Sequence, residues 1–149
     1  MIRPYKTADK EELLTIFRLN IPQYFHADEE KEYSDYLEKM GETYFVIEKD
    51  ARIIGGAGYE VRETDKSGRI NWIFIDPELQ SSGIGKNVVK ELIIILKANP
   101  GVEILIVRTS QLAYRFFEQL GYHVTEIKKD YWAEGLDLYL MHQQPDNFD

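Results

Sequence analysis

The chain has 149 residues, 44% of them hydrophobic and 13% aromatic, enough for one real core and of a length that fits a single domain spanning residues 1–149. Its 26 acidic against 18 basic residues leave a net charge of −8, which disfavours a nucleic-acid backbone as partner; the absence of cysteine rules out disulfides, thiolate metal ligands and a thiol nucleophile. The opening residues Met1 to Lys6 hold no apolar signal segment, and no stretch approaches the roughly 18 uninterrupted apolar residues of a membrane span, so a soluble, cytoplasmic protein is expected.

In chain order, Ile2 to Tyr5 reads as a short strand, and Thr7 with Glu11 marks a helix start before Leu13, Leu14, Ile16 and Phe17. A second helix is expected near Asp28 to Met40, where Tyr33, Tyr36, Leu37 and Met40 form an apolar face. Around them Asp28, Glu29, Glu30, Glu32, Asp35, Glu38 and Glu42 crowd into fifteen residues, as a solvated helix face or as a rim that attracts amines. Tyr44 to Glu48 and Arg52 to Val61 read as strands joined by Lys49-Asp50-Ala51, and Thr64 to Gly68 as a polar turn into a strand from Arg69 to Ile75. A helix then runs from Ile84 to Lys97, followed by a strand from Glu103 to Arg108, a short helix near Ser110 to Leu120, and strands at Tyr122 to Lys128 and near Leu136 to His142. The strand–helix–strand passage from Ile70 to Arg108 implies a parallel pair within an otherwise antiparallel sheet.

Between the strand ending at Ile75 and the helix beginning at Ile84 lies Gln80-Ser81-Ser82-Gly83-Ile84-Gly85-Lys86. Glycines at a helix entry let the backbone approach a ligand, and the first-turn N–H groups, unpaired within the helix, point at it with the positive end of the dipole. The loop is a candidate phosphate cradle; an ordinary helix-entry turn, with glycines for shape alone, fits it equally well. A Walker loop is excluded, because Gln80 stands where its first glycine belongs and Asn87 where its hydroxyl belongs. A dinucleotide fingerprint is weak, because Val88 takes the place of its third small residue and the unit lies mid-chain.

What remains, Gln-x-x-Gly-x-Gly shortly after Ile75-Asp76-Pro77, resembles the acyl-CoA-binding segment of the GNAT superfamily of acetyl-CoA-dependent N-acetyltransferases. A second match supports it: a strand Ile104 to Thr109, then Ser110, Ala113, Phe116, Phe117 and Gly121-Tyr122 in the family's order. The resemblance implies an α+β fold, mostly an antiparallel sheet with a central splayed parallel pair and flanking helices. It implies acetyl-CoA as acyl donor, no metal, and a small-molecule or peptide amine as acceptor, and it allows a homodimer. By the same resemblance, Phe74 and Ile75 would bond the pantetheine arm through their backbone. The N–H groups of Ser82, Gly83, Ile84, Gly85 and Lys86 would take the pyrophosphate, and Gln80, Ser81, Ser110, Tyr114 and Phe117 would also be cofactor-binding. Ser110 stands where the family usually has Asn.

Acyl transfer from a thioester needs a neutral amine, a donor for the oxyanion and a proton for the leaving thiolate. The family's usual tyrosine acid falls on Phe117 here, so Tyr114 or Tyr131 would have to serve, or no dedicated acid is used. Glu60, on the strand before the cofactor-binding one, is the candidate base, acting through a water. Tyr24, His26 and Trp132 are candidate acceptor-pocket residues by position, with Glu134 and Asp137 beside them. His123 and His142 have no partner at metal-ligand spacing. The alternatives are a non-catalytic acyl-CoA sensor and transfer of a longer acyl group.

Overall fold

The computed structural model describes residues 1–80 and 82–144. The strands are β1 (Ile2–Pro4), β2 (Tyr44–Lys49), β3 (Arg52–Arg62), β4 (Ser67–Ile75), β5 (Ile104–Thr109), β6 (His123–Ala133) and β7 (Leu136–Gln143). The α-helices are α1 (Lys10–Leu19), α2 (Glu29–Met40), α3 (Ile84–Lys97) and α4 (Tyr114–Glu118). The sheet order is β1-β2-β3-β4-β5-β7-β6. β4 and β5 run parallel, whereas β1–β2, β2–β3, β5–β7 and β6–β7 are antiparallel, as the strand–helix–strand passage predicts.

The chain divides into two compact units, Met1–Gly58 with Trp72–Val89, and Tyr59–Asn71 with the chain from Lys90 onward. In the first unit the apolar stripes of α1 and α2 bury Leu13, Leu14, Ile16, Phe17, Tyr33 and Leu37 with Tyr44 and Val46 of β2, Ile53 of β3 and Phe74 of β4. Aromatic rings dominate this core. Phe17 stacks on Tyr33 at 4.9 Å between centroids, and Phe74 stands edge-on to Tyr33 at 5.3 Å. The β2–β3 hairpin turns through Asp50 and Ala51, both left-handed with φ of 53° and 61°, the backbone pattern of a tight hairpin turn matched to strand twist.

A hydrogen-bonded chain runs through the same core. The Tyr33 hydroxyl donates to the Tyr44 hydroxyl at 2.9 Å, and the Tyr44 hydroxyl donates to the carbonyl of Trp72 at 2.8 Å. Trp72 has φ of 48°, a left-handed conformation rare for a bulky residue, in the middle of β4. Burial pushes both phenols well above their ordinary titration range, so they remain protonated donors at any working pH. Room for the Tyr44 ring comes from the run Gly55-Gly56-Ala57-Gly58 in β3: a Cβ on Gly56 would collide with the Tyr44 hydroxyl, and one on Gly58 would lie 2.6 Å from the Tyr44 ring.

In the second unit β4 and β5 pair over four residues, from Ser67 opposite Ile104 to Ile70 opposite Val107. Gly68 is squeezed there, since a Cβ would lie 3.0 to 3.1 Å from Leu96, Leu105 and Val102. Three elements differ from expectation by two residues or more. β4 begins at Ser67 rather than Arg69, because Asp65 caps the Ser67 backbone and hydroxyl and the left turn is confined to Lys66, at φ of 55°. α4 is confined to Tyr114–Glu118, because Ser110 turns the chain first, its hydroxyl accepting from the Leu112 N–H. β6 extends to Ala133 instead of ending at Lys128.

Removing the Tyr44 hydroxyl leaves the Trp72 carbonyl and the Tyr33 hydroxyl without their buried partner, a loss of about 1–3 kcal/mol. Tyr44→Phe is therefore expected to keep the far-ultraviolet spectrum and to lower the midpoint of thermal unfolding by several degrees. An unchanged midpoint would mean that the bond contributes nothing to β4.

Candidate active site

The expected cofactor loop is built at the end of β4. After Ile75 the chain enters a short 3-10 turn, Pro77–Leu79, capped by the Asp76 carboxylate accepting from the Glu78 N–H at 3.0 Å. Asp76 itself donates its N–H to the Ile54 carbonyl at 2.7 Å, tying the turn to β3. Gly83 has φ of 86°, and no atom lies within 4 Å of the place a side chain would occupy. The first bond of α3 runs from the Asn87 N–H to the Gly83 carbonyl, so the N–H groups of Ile84, Gly85 and Lys86 belong to the first helical turn, which lacks acceptors within the helix. Ser82, Gly83 and Lys86 are exposed, and the Ser82 hydroxyl donates back to the Leu79 carbonyl at 2.6 Å. An open, left-handed glycine at the N-terminus of a fourteen-residue helix suits an anionic phosphate group. Ser81 lies outside the described residues.

Gln80 points inward. Its side-chain amide donates to the Asn20 side-chain oxygen Oδ1 at 3.4 Å and to the Ile75 backbone carbonyl at 3.5 Å, and the Asn20 side-chain Nδ2 also donates to the Ile75 carbonyl at 3.3 Å. These are long, weak bonds individually. Together they tether the loop to the end of α1 and the end of β4. Asn20, fully buried at 1% exposure, is a residue the sequence reading missed; its signal is a polar side chain ending an amphipathic helix.

Phe74 and Ile75 are both buried, Phe74 within the aromatic core. In the same unit Tyr24 and His26 are half-buried in the segment between α1 and α2. The His26 imidazole Nδ1 accepts from the Asp28 N–H at 3.1 Å, and the His26 N–H donates to the Glu29 carboxylate at 2.8 Å. Both bonds organise the start of α2. Three of the seven acids of this segment pair with basic side chains: Glu30 with Arg18 at 2.9 Å, Glu38 with Lys10 at 2.9 Å and Asp35 with Lys31 at 3.6 Å. Glu29 is buried as a cap, and burial raises its carboxyl above the ordinary value.

In the second unit Glu60 is half-buried and fully engaged, its oxygens accepting from Arg62 Nε at 2.9 Å and Asn71 Nδ2 at 3.3 Å. Burial alone would raise its carboxyl, but the hydrogen bonds from Arg62 and Asn71, with the charges of Arg62 and Arg69, hold it below the ordinary value. Ser110 is buried at the start of the turn into α4. Phe117 is buried at 3% exposure, edge-on to Phe116 and Tyr122, so it offers packing and no proton. The Tyr114 ring lies 4.7 Å from that of Tyr139. The Tyr131 hydroxyl accepts from Arg108 Nη2 at 2.6 Å, and Trp132 Nε1 donates to the Thr109 carbonyl at 3.1 Å. Thus Tyr131 and Trp132 are brought together with the end of β5. Among the described residues no group of three or more His, Cys, Asp or Glu side chains could hold a metal ion, and no helix is long and apolar enough to cross a membrane.

The profile of the acetyltransferase (GNAT) family matches residues 12–122, and the chain belongs to that family of acyltransferases. Its fold is shared with Ard1 from Thermoplasma volcanium, at a TM-score of 0.79 and 16% identity over 97% of this chain and 96% of that one. It is also shared with an aminoglycoside 6'-N-acetyltransferase complexed with coenzyme A, at 0.77 and 14% over 97% of each chain. A third is YncA from Salmonella typhimurium with its cofactor acetyl-CoA, at 0.74 and 18% over 98% and 94%. Compared with the curated proteins by sequence alone, the chain matches none.

The raised Glu29 carboxyl carries a sign. Its neutral form is favoured in the folded protein, so its contribution to stability is present below the ordinary value of 4.5 and is lost as pH rises through the folded value. Glu29→Gln keeps an acceptor for the His26 N–H and does not titrate. Calorimetric melting is expected to show the variant gaining on the wild type at neutral pH, with the gain vanishing below about pH 4.5.

Proposed function

We propose that residues 1–149 work as one N-acetyltransferase domain that moves the acetyl group of acetyl-CoA to a primary amine by direct attack in a ternary complex. The observation that carries the proposal is the open loop with left-handed Gly83 at the start of α3, tethered to the end of β4 by Asn20 and Gln80. Backbone N–H groups from Ser82 to Lys86 would hold the pyrophosphate, with the Lys86 ammonium as counter-charge. Phe74 and Ile75 would bond the pantetheine arm as an added strand does. Acetyl-CoA, when bound, supplies a thioester carbon open to an amine and a thiolate that leaves readily.

The protein's own part is to position and to move protons. Glu60, ionised and fixed by Arg62 and Asn71, would receive the amine's proton through a water; held below its ordinary range, it is a weak base and a strong fixed negative charge. With Phe117 buried, the leaving thiolate has no phenol at the family's usual place, and Tyr114 and Tyr131 are the candidate substitutes. Retention of cofactor binding without turnover would mark a sensor instead.

The test is thiol release from acetyl-CoA across a panel of primary amines, expected to depend on the amine. Gly85→Val, whose side chain would obstruct the backbone's approach to phosphate, is expected to weaken acetyl-CoA binding by about tenfold or more, ~1.4 kcal/mol; calorimetry showing unchanged affinity in the folded variant would remove the cradle.

A pH profile separates the proton-transfer roles. Because Glu60 titrates below the ordinary range, kcat/KM is expected to climb with pH toward the acceptor amine's own pKa, and Glu60→Gln to lower the whole curve without moving it. Tyr114→Phe and Tyr131→Phe are each expected to lose less than the roughly hundredfold that marks the low end of general acid catalysis. A larger loss in one of them would identify it as the acid.

A further inference from the structure

β6 does not simply pair with β7. Its register jumps between Lys128, opposite Leu138, and Ala133, opposite Leu136, so the residues from Lys129 to Trp132 face Asp137 alone. Asp130 sits in this bulge with φ of 54°. The bulge is fastened at several points. The Asp130 N–H donates to the Asp137 carboxylate at 2.8 Å, the Gly135 N–H to the Asp130 carboxylate at 2.7 Å, and the Asp137 N–H to the Gln111 side-chain oxygen at 2.9 Å. Gln111 Nε2 closes the set on the Gly135 carbonyl at 2.6 Å.

The product of this bracing is a fixed guanidinium. Trp132 is anchored to the last carbonyl of β5, Tyr131 stands perpendicular to it at 5.1 Å, and the Arg108 guanidinium lies 5.1 Å and 5.2 Å from the two ring centroids. Arg108 is exposed, and no carboxylate lies within ion-pair distance of it among the described residues. It gives one N–H to Tyr131, whose hydroxyl accepts that bond and must turn its own proton outward; Tyr131 is 47% exposed. The remaining guanidinium donors and the phenol proton are therefore held ready for an acceptor from outside.

From this geometry we infer that Arg108 and Tyr131 form a binding site for a carboxylate. A planar fork beside a hydroxyl donor matches a planar monoanion. A phosphate dianion fits worse, because the nearby Lys128 lies 3.7 Å from Glu126 and the carboxylates of Asp130 and Asp137 belong to the same bulge. Resting on the acetyltransferase proposal, the carboxylate belongs to the acceptor, which is then an amine carrying an acid group, such as an amino acid or a short peptide. The other role open to this cluster is plain surface stabilisation by cation–π stacking, worth about 0.5–1 kcal/mol at an exposed site.

The test starts with binding and needs no turnover. The indole N–H signal of Trp132, assigned against Trp72 by a Trp72→Phe variant, is followed while N-acetylglycine or its primary amide is titrated. A saturable shift with the acid, absent with the amide and lost in Arg108→Gln, is the expected result. No saturable shift, or the same shift in Arg108→Gln, overturns the site. Kinetics then compare each amino acid with the amine left by its decarboxylation. Preference for the acid is expected, collapsing by about tenfold in Arg108→Gln and partly kept in Arg108→Lys. Weaker acetyl-CoA binding in Arg108→Gln would overturn the assignment in favour of the cofactor's phosphates. Carboxylate binding through Arg108 with no amine acetylated would uphold the site and sink the acetyltransferase proposal, so the two fail separately.

Discussion

The hydrogen bond from the Tyr44 hydroxyl to the Trp72 carbonyl is the constraint on which the first unit depends. A tryptophan held at φ of 48° in a strand costs free energy that its surroundings must offset. They do so by enclosing the residue between aromatic rings and satisfying its carbonyl with a phenol that cannot titrate. That phenol is in turn satisfied by Tyr33, and a buried polar chain is favourable only when every link is made. The glycine run of β3 follows, since Gly56 and Gly58 lie where any side chain would displace the Tyr44 ring. Four parts of the sequence far apart along the chain thus serve one backbone distortion.

The distortion matters because of what comes next in β4. Three residues beyond Trp72 lies Ile75, whose carbonyl gathers Asn20 and Gln80, and Gln80 begins the loop that opens α3. A path of direct contacts therefore leads from the phenol pair to the proposed phosphate cradle within one compact unit. The acids of α2, by contrast, are mostly spent on Arg18, Lys10, Lys31 and the cap of their own helix. The proposed carboxylate site rests instead on Arg108, whose guanidinium is hydrogen-bonded to the Tyr131 hydroxyl and has no carboxylate within ion-pair distance among the described residues.

Much of this was legible in the sequence. The amphipathic stripes of α1, α2 and α3, the Asp50-Ala51 turn, the parallel β4–β5 pair and the glycine loop all follow from local periodicity or turn chemistry, and each is where the residues put it. The distorted places were not legible. Alternation along β4 shows a strand and cannot show a left-handed residue at Trp72, which is imposed by a tyrosine 28 positions away. The end of β6 was lost for a similar reason, because a bulge of several residues breaks the two-residue period. The short α4 was overestimated because Ser110 competes for the backbone before the helix begins. Phe117, read as a missing acid, is a core residue, and Asn20, which helps tether the glycine loop, belongs to no spaced motif.

The central claim is that β4 beyond Trp72 and the loop into α3 form one donor-binding edge. Backbone hydrogen exchange measured with and without acetyl-CoA tests it most directly. The account predicts that acetyl-CoA slows exchange at the amides of Phe74 and Ile75 together with those from Ser82 to Lys86, and that Tyr44→Phe weakens the protection at β4. Protection confined to other segments, or none at saturating acetyl-CoA, would contradict it.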